Sequence, residues 1–359
     1  MRPRVVVVTY EAPVPVKQRA LFLYTLRTYR DGSKMNIRKT LFLTDNDVRQ
    51  VLTFKDTLEK CDNVFRWMGE EKVQQEPGRH IYIEPEKGKR RSLFTYGPAF
   101  IEPMKALGVK VNGGSYVAVE RSLPFINGAI VLFDWMTLEV LAFMDECCVT
   151  SLRTGGHAGV GAKYLARKNS SVIAVIGCGV EGRSHLCIMN ELFKIDEVRT
   201  FARRSLTLDR YEKEMGEQLG LSITKCKSAK EAVRGADVIC MCTTARETLV
   251  FDDWIEPGTH VCGTTGFSDL DPKFSKTADK WVLGWHGDLL GVERDPRLSK
   301  EDVYAFLTEV VIGKKFGRKT DKERTVMTCG GIGALDVAVA QIAYEKAKEK
   351  GLGIELKMR

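Results

Sequence analysis

The stretch VIAVIGCGVEGRSH, Val172 to His185, restricts the fold more than any other part of the chain. An all-apolar run of this length reads as a strand buried on both faces, as in a parallel sheet. It ends at Gly177, and Gly177, Gly179 and Gly182 then set out G-x-G-x-x-G at the start of a helix. In that setting the first glycine permits a tight turn and the second lets backbone approach a pyrophosphate. The third lets helix and strand pack closely, and the free N–H groups of the helix start stabilise the phosphate charge. The pattern therefore predicts a dinucleotide turn.

The following strand bears on which dinucleotide. An acid about 20 residues beyond the fingerprint usually accepts hydrogen bonds from a free ribose 2′-hydroxyl. That position is Ala202, followed by Arg203, Arg204 and Ser205. Guanidinium groups and a hydroxyl suit a 2′-phosphate, so the sequence favours NADP over NAD. Thr243 and Thr244, closing the apolar run DVICMCTT, are read as further cofactor contacts.

Strand-like runs (EVRTFA, LSITKC, DVICMCTT, THVCGTT, KWVLGW) alternate with helical ones (SLTLDRYEKEMGEQLG, SAKEAVRGA) after residue 152. This alternation predicts an α/β unit, a Rossmann doubly wound parallel sheet, over residues 153–324. Before it, HIYIEP, SLFTYGPAF, GVKVNGG and AIVLFDWMTLEVLAFM are short strands broken by Gly, Pro and charge, an expected antiparallel sheet. Ahead of that sheet, Thr53 and Asp56 suggest a capping box opening a helix. GALDVAVAQIAYEKAKEKG reads as an amphipathic final helix stopped by Gly351. The change of pattern sets a domain boundary near residue 152.

Composition narrows the role. The net charge is +8, but +5 of it falls in residues 1–34, and no basic stripe runs through the remainder. Nucleic acid is therefore not an expected partner. No apolar run is long enough to span a membrane. The ten cysteines lack paired C-x-x-C spacing and the five histidines form no cluster with them, so no metal site is expected. With no secretory signal, the cysteines point to a reducing, cytoplasmic setting. Residues 1–34 read as an extension of uncertain role, because MNIRKTLFLTDNDVRQVL at Met35 resembles a protein start.

Five blocks now combine: LFLTDNDVRQVL, ALGVKVNGG, SLRTGGHAGVGAKYLARKNSSVIAVIGCGVEGRSH, IEPGTHVCGTTG and GALDVAVAQIAYEKAKEKGLG. In this order they resemble the ornithine cyclodeaminase/mu-crystallin family over roughly residues 36–356. The resemblance implies a Rossmann domain, residues 153–324, joined to an α+β substrate-binding and dimerisation domain built from residues 36–152 with 325–359, hence a homodimer. It also implies three site residues. Arg79 matches an arginine near the substrate carboxylate, Lys110 the active-site lysine, and Arg153 the arginine that clamps the carboxylate. Physically, a guanidinium fork fixes a carboxylate, and a desolvated lysine can exchange a proton with an amine or imine.

One position departs from the cyclodeaminase pattern. Where those members place a catalytic aspartate after GTHV, this chain has Phe267, with Asp269 two residues further on. The resemblance therefore implies an NAD(P)-dependent oxidoreductase moving hydride between nicotinamide and the α-carbon of an amino or (cyclic) imino acid. An ornithine cyclodeaminase-type lyase and a mu-crystallin-like NADPH-dependent binder are the alternatives. The region near Tyr96, Phe267 and Gly330 to Gly333 is expected to shape the substrate pocket.

Overall fold

A computed structural model describes residues 39–84, 91–264, 266–328 and 330–357. The extension 1–34 lies outside the described residues. Residues 39–356 form one compact unit. Among the described residues no helix is long and apolar enough to cross a membrane.

The first sheet is built from β1 (Lys39–Leu43), β2 (Val73–Gln75), β3 (Arg79–Ile83), β4 (Arg91–Ile101), β5 (Ala106–Ser115), β6 (Ile126–Asp134) and β7 (Val140–Asp145). A C-terminal strand, Ile354–Lys357, flanks β1, and the order continues β1-β7-β6-β5-β4-β2, with β3 also on β4. Pairing from β2 to β7 is antiparallel, as the alternating sequence predicts, but β1 joins β7 in parallel. The sheet is therefore mixed at one edge. Along β5, burial alternates strictly, so Lys110 and Asn112 point to the covered face and Val109 and Val111 to the other.

The second sheet holds β8 (Val172–Ile176), β9 (Glu197–Phe201), β10 (Ile223–Lys225), β11 (Val238–Met241), β12 (His260–Gly263), β13 (Lys280–Leu283), β14 (Ala305–Phe306) and β15 (Thr325–Thr328). Its order is β10-β9-β8-β11-β12-β15-β13-β14, and every pair is parallel. The winding reverses between β8 and β11, which opens a crevice beyond their C-terminal ends. This is the expected Rossmann sheet. β15 pairs with β12 and β13, so the second sheet runs to Thr328 instead of closing at residue 324.

Five helices position the site: α1 (Phe54–Gly69), α2 (Cys147–Leu165), α3 (Val180–Leu192), α4 (Ser205–Leu219) and α5 (Gly333–Lys350). Thr53 caps α1 by accepting the Asp56 N–H at 3.1 Å. The sequence placed a boundary at residues 152 and 153, but α2 runs straight through it and ties the two sheets together. Its glycines allow this. A Cβ on Gly155 would lie 2.9 Å from the Ser184 carbonyl oxygen of α3, so α2 and α3 touch almost backbone to backbone.

The final helix departs from the amphipathic expectation. From Gly333 to Ala343 α5 is buried on every side, packed against β4, β5, α1 and α2. Only its last two turns show an exposed face. Small apolar residues (Ala334, Ala338, Ala340, Ala343) spread around the helix are what a helix buried all round requires. That burial carries one charged residue, Asp336, into the interior.

Candidate active site

The glycine turn has the geometry its sequence demands. Gly177 sits at φ +100°, and a Cβ there would lie 2.4 Å from the Cys242 carbonyl oxygen. A Cβ on Gly182 would fall 2.1 Å from the Gly177 carbonyl oxygen, so helix and strand meet at the closest approach the chain allows. Gly179 is exposed, with nothing within 4 Å of the place its Cβ would occupy. No side chain caps the N-terminus of α3 there, so its first N–H groups are open to an anion. Val180 is exposed beside them. An open cradle at an uncapped helix start fits a pyrophosphate.

Ala202 follows β9, and Arg203, Arg204 and Ser205 are all exposed at the start of α4, where no side chain caps the helix either. β9 pairs with β8 so that Phe201 lies opposite Ile176, which places this arginine corner beside the glycine turn. Thr243 is engaged already: its hydroxyl donates to Asp269 Oδ2 at 2.7 Å and accepts the Ala245 N–H at 3.0 Å. Thr244 is exposed at the end of β11.

Lys110 of β5 and Arg153 of α2 converge on Asp336 of α5. Lys110 Nζ donates to Asp336 Oδ1 at 2.7 Å, and Arg153 Nε donates to the same oxygen at 2.8 Å. All three are buried. Burial pushes the Lys110 ammonium down to about 8, with Arg153 adding to the fall and Asp336 opposing it. Burial also opposes the charge on Arg153, yet Asp336 and then Glu181 hold its pKa above the ordinary value.

Arg153 meets Asp336 through Nε, and among the described residues its two terminal nitrogens have no hydrogen bond. That side-on arrangement leaves the bidentate edge of the guanidinium free for a second carboxylate. Glu181, inside the glycine turn, faces this cluster. Burial pushes its carboxyl up to about 7 while Arg153 and Lys110 pull it down. The dinucleotide turn and the lysine–arginine pair are therefore one electrostatic unit.

The structure does not bring Arg79 to this group. It is exposed on β3, opposite Thr95 and, through β4, Val111, which puts it on the face of the sheet away from Lys110. Its neighbour His80 lies on the same face as Tyr96 and lines a cavity of about 490 Å³. Tyr96, Phe267, Gly330 and Gly331 also line that cavity, in line with the expected pocket. The Tyr96 ring, part of the cavity wall, stands 4.7 Å from Lys110 Nζ.

Phe267 is buried edge-on against Trp281, with ring centroids 5.1 Å apart. Asp269 is fully buried and receives the Thr243 hydroxyl, so the loop has not shifted to offer its carboxylate in place of Phe267.

Sequence reasoning missed Asp336 and Glu181, and also Thr150, which accepts from Lys110 Nζ at 3.3 Å, and Glu146, which accepts the Thr150 hydroxyl. Asp336 had a signal available, an acid among the small apolar residues of GALDVAVA. Arg183 was also missed: it donates to the Cys178 carbonyl at 2.6 Å, lies over the Tyr211 ring and braces the turn.

Comparison with known proteins agrees with this architecture. The chain is similar to an alanine dehydrogenase of Archaeoglobus fulgidus, with 33% identity over 328 residues, 89% of this chain and 98% of that one. The solved Delta(1)-pyrroline-2-carboxylate reductase of Thermococcus litoralis, in complex with NADH and L-proline, superposes with a TM-score of 0.81. It is 30% identical, and the match covers 88% of this chain and 100% of that one. An archaeal alanine dehydrogenase dimer with bound NAD gives a TM-score of 0.81 at 32% identity, covering 89% of this chain and 100% of that one. The family model for ornithine cyclodeaminase/mu-crystallin matches residues 38–351. This chain belongs to the ornithine cyclodeaminase/mu-crystallin family.

Proposed function

We propose that the chain is a nicotinamide-dependent oxidoreductase that interconverts an amino acid and its imine, with cyclic imino acids included among its substrates. The observation that carries this reading is Arg153, held side-on by Asp336 beside Lys110, with Glu181 of the dinucleotide turn facing both. The free edge of Arg153 holds the substrate carboxylate, which fixes the α-carbon relative to the crevice. Lys110, with its pKa lowered to about 8, gives a proton to the imine nitrogen or takes one from the amine. A bound nicotinamide supplies or accepts the hydride. The exposed Arg203–Arg204–Ser205 corner and the absence of an acid at Ala202 favour NADP as that cofactor.

Phe267, buried on Trp281, supports redox chemistry over cyclisation with loss of ammonia, since no carboxylate stands at that position. A homodimer is proposed through the outer face of the first sheet. Ile81, Ile83, Leu93 and Phe143 are exposed there together, and apolar area of this kind is seldom left uncovered. The deciding experiment follows NADPH oxidation with pyruvate plus ammonia or methylamine, and with five- and six-membered cyclic imino acids. Oxidation with at least one is expected; none with any of them would sink the proposal.

A further inference from the structure

Glu146 is a fully buried carboxylate that the chemistry above leaves without a role. It stands where β7 turns into α2. One of its oxygens, Oε2, accepts the Thr150 hydroxyl, while Oε1 carries no hydrogen bond among the described residues. Thr150 Oγ1 in turn accepts from Lys110 Nζ at 3.3 Å. A carboxylate with no ion-pair partner is costly to bury, and Glu146 makes none among the described residues. Packing alone would be served better by an apolar side chain.

The direction of the hydrogen bonds is informative. A threonine hydroxyl has one proton, and giving it to Glu146 turns a lone pair towards Lys110. Lys110, Thr150 and Glu146 thus form a line along which a proton can pass in either direction. Asp336, on the other side of Lys110, is less suited to that duty. Its Oδ1 neutralises Arg153 as well as Lys110, so protonating it would leave a buried guanidinium uncompensated.

We propose that Glu146, acting through Thr150, is a positioning residue and proton relay that loads and unloads Lys110. The proposal rests on the redox reading above. In the reductive direction hydride adds to the imine carbon, and the Lys110 ammonium gives one proton to the imine nitrogen. The amine product and a neutral lysine result. A proton from solvent then reaches the Glu146 carboxylate and passes to Thr150 as Thr150 gives its hydroxyl proton to Lys110, so the ammonium and the carboxylate are both restored before the next turnover. One hydride and one proton convert C=N to CH–NH, so the step balances; oxidation runs it backwards. The charged and titratable groups facing Lys110 are Asp336 from α5, Arg153 from α2, Glu181 from α3, Tyr96 from β4 and Glu146 itself.

The test compares Glu146→Gln, Thr150→Val and Thr150→Ser with the unaltered protein. Glu146→Gln and Thr150→Val are expected to lower kcat at least about tenfold. NADPH affinity, read by fluorescence, should stay unchanged, and the Lys110-dependent limb of the kcat–pH profile should move. Thr150→Ser keeps the hydroxyl and should restore most of what Thr150→Val loses. A second readout needs no turnover. Carbon-13 NMR of the Lys110 side chain, assigned with Lys110→Arg, should show the amine titrating at lower pH in Glu146→Gln, because an adjacent anion has gone. An unmoved Lys110 titration, or unchanged kcat in Thr150→Val, overturns the relay. If the unaltered protein oxidises NADPH with no substrate tried, the redox reading fails by itself and the Lys110 titration still judges the coupling. If Glu146→Gln does not fold, the two Thr150 variants decide.

Discussion

Lys110 and Arg153 donate to one oxygen of Asp336, at 2.7 and 2.8 Å, while its second oxygen has no hydrogen bond among the described residues. Two buried cations supplied by two different elements therefore share one buried anion. Breaking such an arrangement from one side is expensive, because the remaining charges stay desolvated; the usual cost is about 3–5 kcal/mol. Asp336→Asn is accordingly expected to lose stability of that order in urea unfolding, and to lower the Lys110 pKa further. A variant as stable as the parent would contradict the shared-anion arrangement.

Arg153→Lys keeps the charge but removes the fork. Losing the bidentate contact to a substrate carboxylate should cost about 1.5–3 kcal/mol, roughly 10- to 100-fold in KM, with dinucleotide affinity little changed. Steady-state kinetics beside a fluorescence titration separate the two effects. Equal losses in both would point to a damaged fold instead.

The arginine corner makes a prediction about cofactor choice. Replacing Arg203 and Arg204 together by alanine should weaken NADPH binding by at least tenfold and leave NADH binding nearly unaltered. The discriminating measurement is the ratio of the two dissociation constants at fixed ionic strength. A ratio that does not move would assign both arginines to solvent alone.

Gly182→Ala tests the turn. The added methyl would sit 2.1 Å from the Gly177 carbonyl oxygen, a contact relieved only by moving α3 away from β8. Dinucleotide binding should fall by an order of magnitude or more, because the helix N-terminus shifts with it. Gly179→Ala has free space around the new methyl in the protein and should be better tolerated in stability than in binding.

Buried histidines set the response to acid. Burial pushes His157 down to about 3, His185 to about 4 and His260 to about 3, all from 6.5. Below pH 6.5 the unfolded chain takes up protons that the folded chain refuses. Their contribution is therefore fully present above that pH and is lost as pH falls towards 3–4, by about 1.4 kcal/mol per unit for each group. Asp288, pushed up to about 7 by burial from 3.8, works in the opposite sense between those values and offsets part of the slope. Urea unfolding at several pH values should show stability falling below pH 6, less steeply in His157→Gln.

Local pattern made the second sheet legible. VIAVIGCGVEGRSH combines a buried apolar run with glycines whose spacing only a tight phosphate turn requires, and each βα unit after it repeats a short-range signal. The site was half legible. Lys110 and Arg153 came from a resemblance between blocks, whereas Asp336, which holds them together, lies 226 residues from Lys110 and carries no spacing rule. Arg79 misled because one residue of register in a strand exchanges the two faces of a sheet, and His80 took the inward position. The final helix misled for a related reason: its polar residues cluster in the last turns, and amphipathicity averaged over its length hid a first half buried all round.

The burial of α5 has a consequence for the order in which the protein becomes functional. Its aspartate is synthesised long after the lysine and arginine it neutralises, separated from them by the whole dinucleotide-binding sheet. Until that helix emerges and docks, the growing chain holds both cations without the anion they share, and so a reason to leave their surroundings open to water. The site is closed by α5, made after Lys110, Arg153 and the whole second sheet, so catalytic competence reports on the docking of that helix more directly than on the formation of either sheet.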